Sequence, residues 1–251
     1  MATEVVSGVW ALDLGFVPPL EANAYLVDDR AGLGSGEAGA TDGDTAGTDT
    51  ERGVTLVDAG LRWNYRSLRA ELASAGYGAA DVDRVLLTHY DLDHTWGLHG
   101  IADDLAGPVY IGAADGRLVD GDDDPPLVHH KGLFHRVARR VAPLPAGLTV
   151  EHVEDGDRVG PFTAHHTPGH NPGHTVYVHD DGVGFLGDLV WEEDGEFTPP
   201  IRFDSYDVGQ IHESIRAFAA RGPDFETACM GHGEPMATGG AETLDRLAAR
   251  L

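Results

Sequence analysis

The sequence predicts a mixed α and β fold in which two β-sheets pack together with helices on their outer faces. Three observations carry this. The first third is rich in β-formers, the middle alternates short apolar runs with segments of helical spacing, and the second half repeats strands followed by helices.

Taken in order, Val5 to Leu12, Asn23 to Asp28 and Val54 to Asp58 read as strands. Asp29 to Gly53 between them is dominated by Gly, Asp, Thr and Ala. It has little to bury, so it is expected to be a long mobile hairpin loop inside one domain spanning residues 1–251. Tyr65 to Ala75 carries Leu68, Leu72 and Ala75 at helical spacing, and Val85-Leu86-Leu87 is a short buried strand. Val109 to Ile111 follows as another strand, then an acidic loop from Asp120 to Pro126. Leu133 to Val141, with Arg136, Arg139 and Arg140, is predicted as a helix ended by Pro143 and Pro145. Hairpin-like turns are expected at Glu154–Asp157 and Asp180–Gly182. Two further helices are marked by Ile211, Ile215, Phe218 and Ala219, and by Leu244, Leu247, Ala248 and Leu251.

Composition narrows the function classes. Of 251 residues, 42 are acidic and 17 basic, a formal charge of −25, and Lys131 is the only lysine. Such a field repels phosphate backbones and anionic membranes, so nucleic acid and membrane are not expected partners. The acids are spread along the whole chain, which fits a surface adapted to high salt. The start Met1-Ala2-Thr3-Glu4 lacks a signal-peptide layout and no apolar run reaches the length of a membrane span, so a soluble cytoplasmic protein is expected. The one cysteine, Cys229, lies in an apparent buried strand, Glu226 to Met230, and reads as a core residue rather than a nucleophile. The oligomeric state is left open, with a homodimer among the options.

The chemistry concentrates in four segments. Thr88 to His94 follows a buried strand and places His89, Asp91, Asp93 and His94 within six residues. Imidazole and carboxylate are the ligands that hold Zn²⁺, Fe or Mn²⁺, and a strand end is a stiff place from which to project them. Three more candidates sit at glycine-marked junctions: His170 in Thr167-Pro168-Gly169-His170, Asp188 in Phe185-Leu186-Gly187-Asp188, and His232 in Met230-Gly231-His232-Gly233.

This ordered set resembles the metallo-β-lactamase superfamily, whose signature His-x-His-x-Asp-His is followed by a distant His, Asp and His. The resemblance spans nearly the whole chain. It implies an α+β fold, an αββα four-layer sandwich of two mixed sheets flanked by helices, with metals at one sheet edge. By the same resemblance His89, Asp91 and His170 hold one divalent ion, Asp93, His94 and His232 hold another, and Asp188 bridges them. The implied mechanism is water activation between two cations, with Asp93 also handling the proton, to cleave an ester, thioester or lactone of a small-molecule substrate. Zn is the metal the family implies.

One departure is Asp91, which stands where the family has its second histidine. Three carboxylates against two divalent ions leave about one positive charge before any hydroxide, which shifts preference toward Fe or Mn. A second departure is Trp96, where the family often has glycine, and it is a candidate pocket wall. Two alternatives remain: a mononuclear iron dioxygenase acting on persulfides, or a non-catalytic metal-binding member. Among the remaining residues, His174 is read as a second layer around the metals or a strand cap, and His165 and His166 as structural. His129, His130 and Lys131 read as a solvated loop before the basic helix. Trp63, Tyr65, Phe134, Trp191, Phe203 and Tyr206 are candidates for an apolar pocket.

Overall fold

The computed structural model describes residues 1–14, 22–33, 52–62 and 66–251. The first sheet runs in chain order: β1 (Thr3–Val6), β2 (Val9–Leu12), β3 (Ala24–Asp28), β4 (Val54–Val57), β5 (Arg84–Leu87), β6 (Val109–Gly112) and β7 (Val150–Val153). Its first four strands are antiparallel and its last four parallel. The second sheet is built from β8 (Arg158–Val159), β9 (Phe162–His166), β10 (Thr175–His179) and β11 (Val183–Gly187). A small ribbon of β12 (Trp191–Glu193) and β13 (Glu196–Thr198) intervenes before β14 (Thr227–Met230), which adds to β11 in parallel. Among the described residues six helices accompany the sheets: α1 (Leu68–Ser74), α2 (Leu92–Thr95), α3 (Ala113–Asp120), α4 (His130–Val141), α5 (Val208–Ala220) and α6 (Gly240–Arg250).

The two-residue period of the strands sorts side chains between layers. Along β3, Ala24 and Leu26 join the core under α1, while Tyr25 and Val27 enter the core between the sheets. On β5, Val85 and Leu87 face the first of these cores and Leu86 the second. In the second sheet, Tyr177 of β10, Phe185 of β11 and Cys229 of β14 point at the first sheet. Val176, Leu186, Ala228 and Met230 instead meet Ile211, Ile215 and Phe218 of α5 and Leu244 and Leu247 of α6. Three apolar cores separated by two sheets make the expected αββα sandwich. Cys229 is buried, and burial pushes its thiol well up, as suits a core residue.

Several local expectations are refined. Val5 to Leu12 is two strands folded at Ser7-Gly8 rather than one. The Glu154–Asp157 turn is not a hairpin: β7 pairs with β6 and β8 with β9, so this turn carries the chain from one sheet to the other. The turn at Asp180–Gly182 does join the antiparallel pair β10 and β11. Helix α3 had no sequence expectation, because Gly116 interrupts a short and weakly apolar segment. The expected loop from 29 to 53 falls largely outside the described residues. Its neck is pinned where Asp29 accepts from Gly53 N (2.6 Å) and pairs with buried His179 (3.1 Å), and where Arg52 meets Asp181 (2.8 Å). Among the described residues no helix is long and apolar enough to cross a membrane.

Candidate metal centre

The candidate ligands lie at or just beyond strand ends along one edge of the sandwich. β5 leads into Thr88–His94, β9 into His170, β11 into Asp188 and β14 into His232. Their side chains converge as overlapping groups: His89 with Asp91 and His170; His89 with His94 and Asp188; and Asp93 with His94 and His232. All seven residues expected from the sequence are therefore brought together. His89, His94, His170 and Asp188 are almost fully buried, and Asp93 is the most exposed. Close packing requires small residues at two positions. A Cβ on Gly231 would lie 2.0 Å from Asp188 Oδ1, and one on Gly97 would lie 1.9 Å from the Ala59 carbonyl oxygen. The close approach after the motif thus falls at Gly97, while Trp96 is half-buried at the start of a 3₁₀ turn.

A surrounding layer fixes the imidazoles. Asp58, at the end of β4 with φ of 57°, accepts from Thr88 N and Thr88 Oγ1 (2.8 Å each) and from His94 Nδ1 (2.8 Å). That bond directs His94 Nε2 at the other ligands, the carboxylate–histidine arrangement that orients metal ligands. His89 Nδ1 meets Thr88 Oγ1 (2.9 Å), which turns its Nε2 inward in the same way. His174 is held through Nδ1 by Thr167 (2.8 Å), and its Nε2 accepts from Asp188 N (3.0 Å), so it seats the Asp188 backbone. Asp115 accepts from Tyr90 N (2.8 Å) and Gly173 N (2.7 Å), tying the motif loop to the loop after His170.

The two halves of the centre differ. In the half formed by Asp93, His94, Asp188 and His232, buried His94 Nε2 and Asp188 Oδ1 have no hydrogen-bond partner among the described residues. His94 Nε2 lies 3.6 Å from Asp188 Oδ1, and His232 Nε2 lies 3.3 Å from Asp188 Oδ2 and 3.7 Å from Asp93 Oδ2. Burial opposes charge on His94, yet Asp58 and Asp188 outweigh it and push the imidazole up to about 10. His232 is likewise pushed up to about 9, against burial, chiefly by Asp188. Burial opposes ionisation of Asp188 too, but His232, His94 and His170 together hold it well below the usual carboxylate range. Asp93 is raised by burial, with His94 opposing and Asp91 reinforcing. Unpartnered nitrogen and carboxylate atoms in a pocket that favours positive charge fit a divalent cation.

In the other half a cation is already supplied by the chain. Lys131 Nζ lies 2.7 Å from Asp91 Oδ2 and 2.9 Å from His170 Nε2, and it donates to the Asp204 carbonyl (2.8 Å). His135 Nε2 (2.7 Å) and Asn171 Nδ2 (3.0 Å) take the other Asp91 oxygen, and the Tyr206 hydroxyl meets His135 Nδ1 (2.8 Å). Burial works against the Asp91 charge, but Lys131 and His89 lead the groups that hold its carboxyl well below the ordinary range. The solvated loop expected for His129 to Lys131 is thus corrected. The helix starts at His130, before Leu133, and Lys131 is 4% exposed on its inner face.

Of the aromatic candidates, the Trp191 ring lies 5.1 Å from that of His232, and Tyr206 stacks on His129 at 5.0 Å. Phe134 and Phe203 are largely exposed, and Trp63 and Tyr65 lie outside the described residues.

A sequence profile for the metallo-beta-lactamase superfamily matches residues 48–232. The chain belongs to this superfamily. Among its relatives, "Probable metallo-hydrolase YybB" of Bacillus subtilis is 30% identical over 186 residues, covering 72% of this chain and 76% of the relative. A metallo-beta-lactamase family protein of Thermus thermophilus, TTHA1429, superposes with a TM-score of 0.65 at 23% identity, covering 98% of this chain and 80% of that one. TTHA1623, solved in a di-iron-bound form, superposes at 0.59 with 25% identity, over 93% and 95% of the two chains.

Proposed function

We propose that this superfamily member is a metal-dependent hydrolase that cleaves a small ester, thioester or lactone. The observation that carries the reading is the cation-demanding group of Asp93, His94, Asp188 and His232, in which two buried candidate ligand atoms lack hydrogen-bond partners among the described residues. Relatives named as probable metallo-hydrolases in Bacillus subtilis support the reaction class. When bound, a divalent ion supplies Lewis acidity, lowering the pKa of water and polarising a carbonyl oxygen.

The chain's own residues do the rest. Asp58 and His174 hold His94 and Asp188 in position. Asp93 is the carboxylate with most access to solvent, so its oxygen can take a proton from incoming water and return it to the leaving group. Trp191, beside His232, contributes an apolar wall for the acyl portion of a substrate.

The test is a panel of p-nitrophenyl esters, acyl thioesters and lactones, assayed with protein loaded separately with Zn²⁺, Mn²⁺ and Fe²⁺. The native protein is expected to turn over at least one class, with Asp188→Ala at least 100-fold slower. Equal inactivity of both across the panel would overturn the hydrolase reading. Oxygen uptake with a persulfide substrate in the same samples would mark iron-dependent dioxygenase chemistry instead.

A further inference from the structure

We infer that Lys131 stands in for one of the two cations, so that the chain binds one divalent ion, in the half formed by Asp93, His94, Asp188 and His232. The inference rests on the metal-centre reading of the site but not on the reaction proposed for it.

An ammonium has three N–H donors and no acceptor. Those of Lys131 are matched by Asp91 Oδ2, His170 Nε2 and the Asp204 carbonyl, all within 2.9 Å. Nothing is left over for an anionic substrate. The consequence for the ligands is direct. An imidazole nitrogen has one in-plane lone pair; His170 Nε2 lies 2.9 Å from Lys131 Nζ, 3.1 Å from Asp91 Oδ2 and 3.2 Å from His89 Nε2, and beside an ammonium the tautomer with the proton on Nδ1 gives that lone pair to Lys131. Asp91 has Oδ2, the oxygen that faces His89 and His170, on Lys131, and Oδ1 on His135 and Asn171. Of the three atoms that His89, Asp91 and His170 turn toward one another, only His89 Nε2 is not in contact with Lys131; His170 Nδ1 is also without a hydrogen-bond partner among the described residues.

Coulomb energy points the same way. An ion bonded to Asp91 Oδ2 at about 2.1 Å would lie within about 5 Å of Nζ, given the 2.7 Å contact. Two cations that close in a buried site repel strongly. Burying the only lysine in a chain of net charge −25 is also costly unless its charge is used. Here it is used against Asp91. Carboxylate replaces imidazole and ammonium replaces a metal ion, so the pair Asp91–Lys131 substitutes as a unit for one histidine and one metal ion. One divalent ion with Lys131 then balances Asp91, Asp93 and Asp188. The half that keeps the metal is the one where His94 Nε2 and Asp188 Oδ1 are unpartnered.

Metal counting decides the matter. Intact protein is equilibrated with excess Zn²⁺ or Mn²⁺ and freed of unbound ion. Ions per chain are then measured by elemental analysis, with electron paramagnetic resonance on the Mn²⁺ sample. The native protein is expected to hold one ion per chain with an uncoupled Mn²⁺ spectrum. Lys131→Met alone strands the Asp91 charge and risks misfolding, so the informative variant is Asp91→His with Lys131→Met. Checked for folding by circular dichroism, it should rise to two ions per chain with an exchange-coupled Mn²⁺ pair. Two coupled ions in the native protein, or one ion in the folded double variant, would overturn the inference while leaving the metal centre standing. No bound ion in the native protein would instead remove the metal-centre reading itself.

Discussion

At the scale of single residues, the candidate ligands are held by a layer of groups behind them. Asp58 is the clearest case: it sits at a positive φ, is buried, and holds both the Thr88 segment and His94 Nδ1. Replacing Asp58 with Asn keeps the shape but removes the charge and lets the amide present a donor to His94. Metal affinity should fall about 10–100-fold, the usual cost of losing such a partner. Competition with a chromogenic chelator measures it, and an unchanged Kd would show that His94 needs no orienting carboxylate. The seven ligand candidates were legible in the sequence because each follows a strand, four of them within Thr88–His94 and three at glycine-marked junctions. Asp58, Lys131, His135 and Asn171 were not, since nothing adjacent to them marks their role. The one available signal was that a strongly acidic chain keeps a single lysine.

At the scale of elements, what could be read from periodicity was the set of faces buried against sheets. Ile211, Ile215 and Phe218 on α5 and Leu244 and Leu247 on α6 are buried as their spacing requires. Helix α4 defeats the same logic. It turns Lys131, His135 and Ala138 inward, and leaves Leu133, Phe134, Val137 and Val141 exposed. Its inner face lines the candidate metal centre, so polar residues occupy the positions where an amphipathic pattern places apolar ones. Its Arg136 and Arg139 meanwhile pair with Asp124 of the preceding acidic loop.

The end of β3 offers a test of how such elements are tied together. Asp28 accepts from the Tyr77 hydroxyl (2.6 Å) and from Arg30 Nε (2.8 Å), linking β3 to the turn after α1. The Arg30 hydrogen bond leads the effects that hold Asp28 at about 2, below its ordinary 3.8. A depressed folded-state pKa stabilises above the unfolded value and loses that contribution as pH falls through the folded one. Asp28→Asn should therefore cost about 1 kcal/mol near pH 6, discounted for a partner in solvent. The gap should close as pH falls from about 4 to about 2. Urea unfolding of both proteins across that range checks it; a gap independent of pH would mean that the ionised form of Asp28 contributes nothing.

For the whole molecule the dominant quantity is charge. Seventeen basic residues cannot neutralise 42 acidic ones. Local pairs such as Arg52 with Asp181, Arg158 with Asp180, Arg221 with Asp155 and Arg246 with Glu196 use up much of the available cation. The remaining carboxylates repel one another across the surface. That repulsion reaches about 10 Å at 0.1 M ionic strength but only about 3 Å at 1 M. Added salt also weakens the surface ion pairs, which are each worth no more than about 1 kcal/mol, so the two effects oppose. The acidic excess is larger than the number of pairs, and repulsion should win. The thermal midpoint is expected to rise by roughly 10 °C between 0.1 and 2 M KCl, corresponding to a few kcal/mol for a chain of this size. KCl is preferred to sulfate because sulfate would strengthen apolar burial on its own account. A midpoint that stays level or falls as KCl rises would show that the ion pairs outweigh the excess charge, and the high-salt reading of this surface would then be wrong.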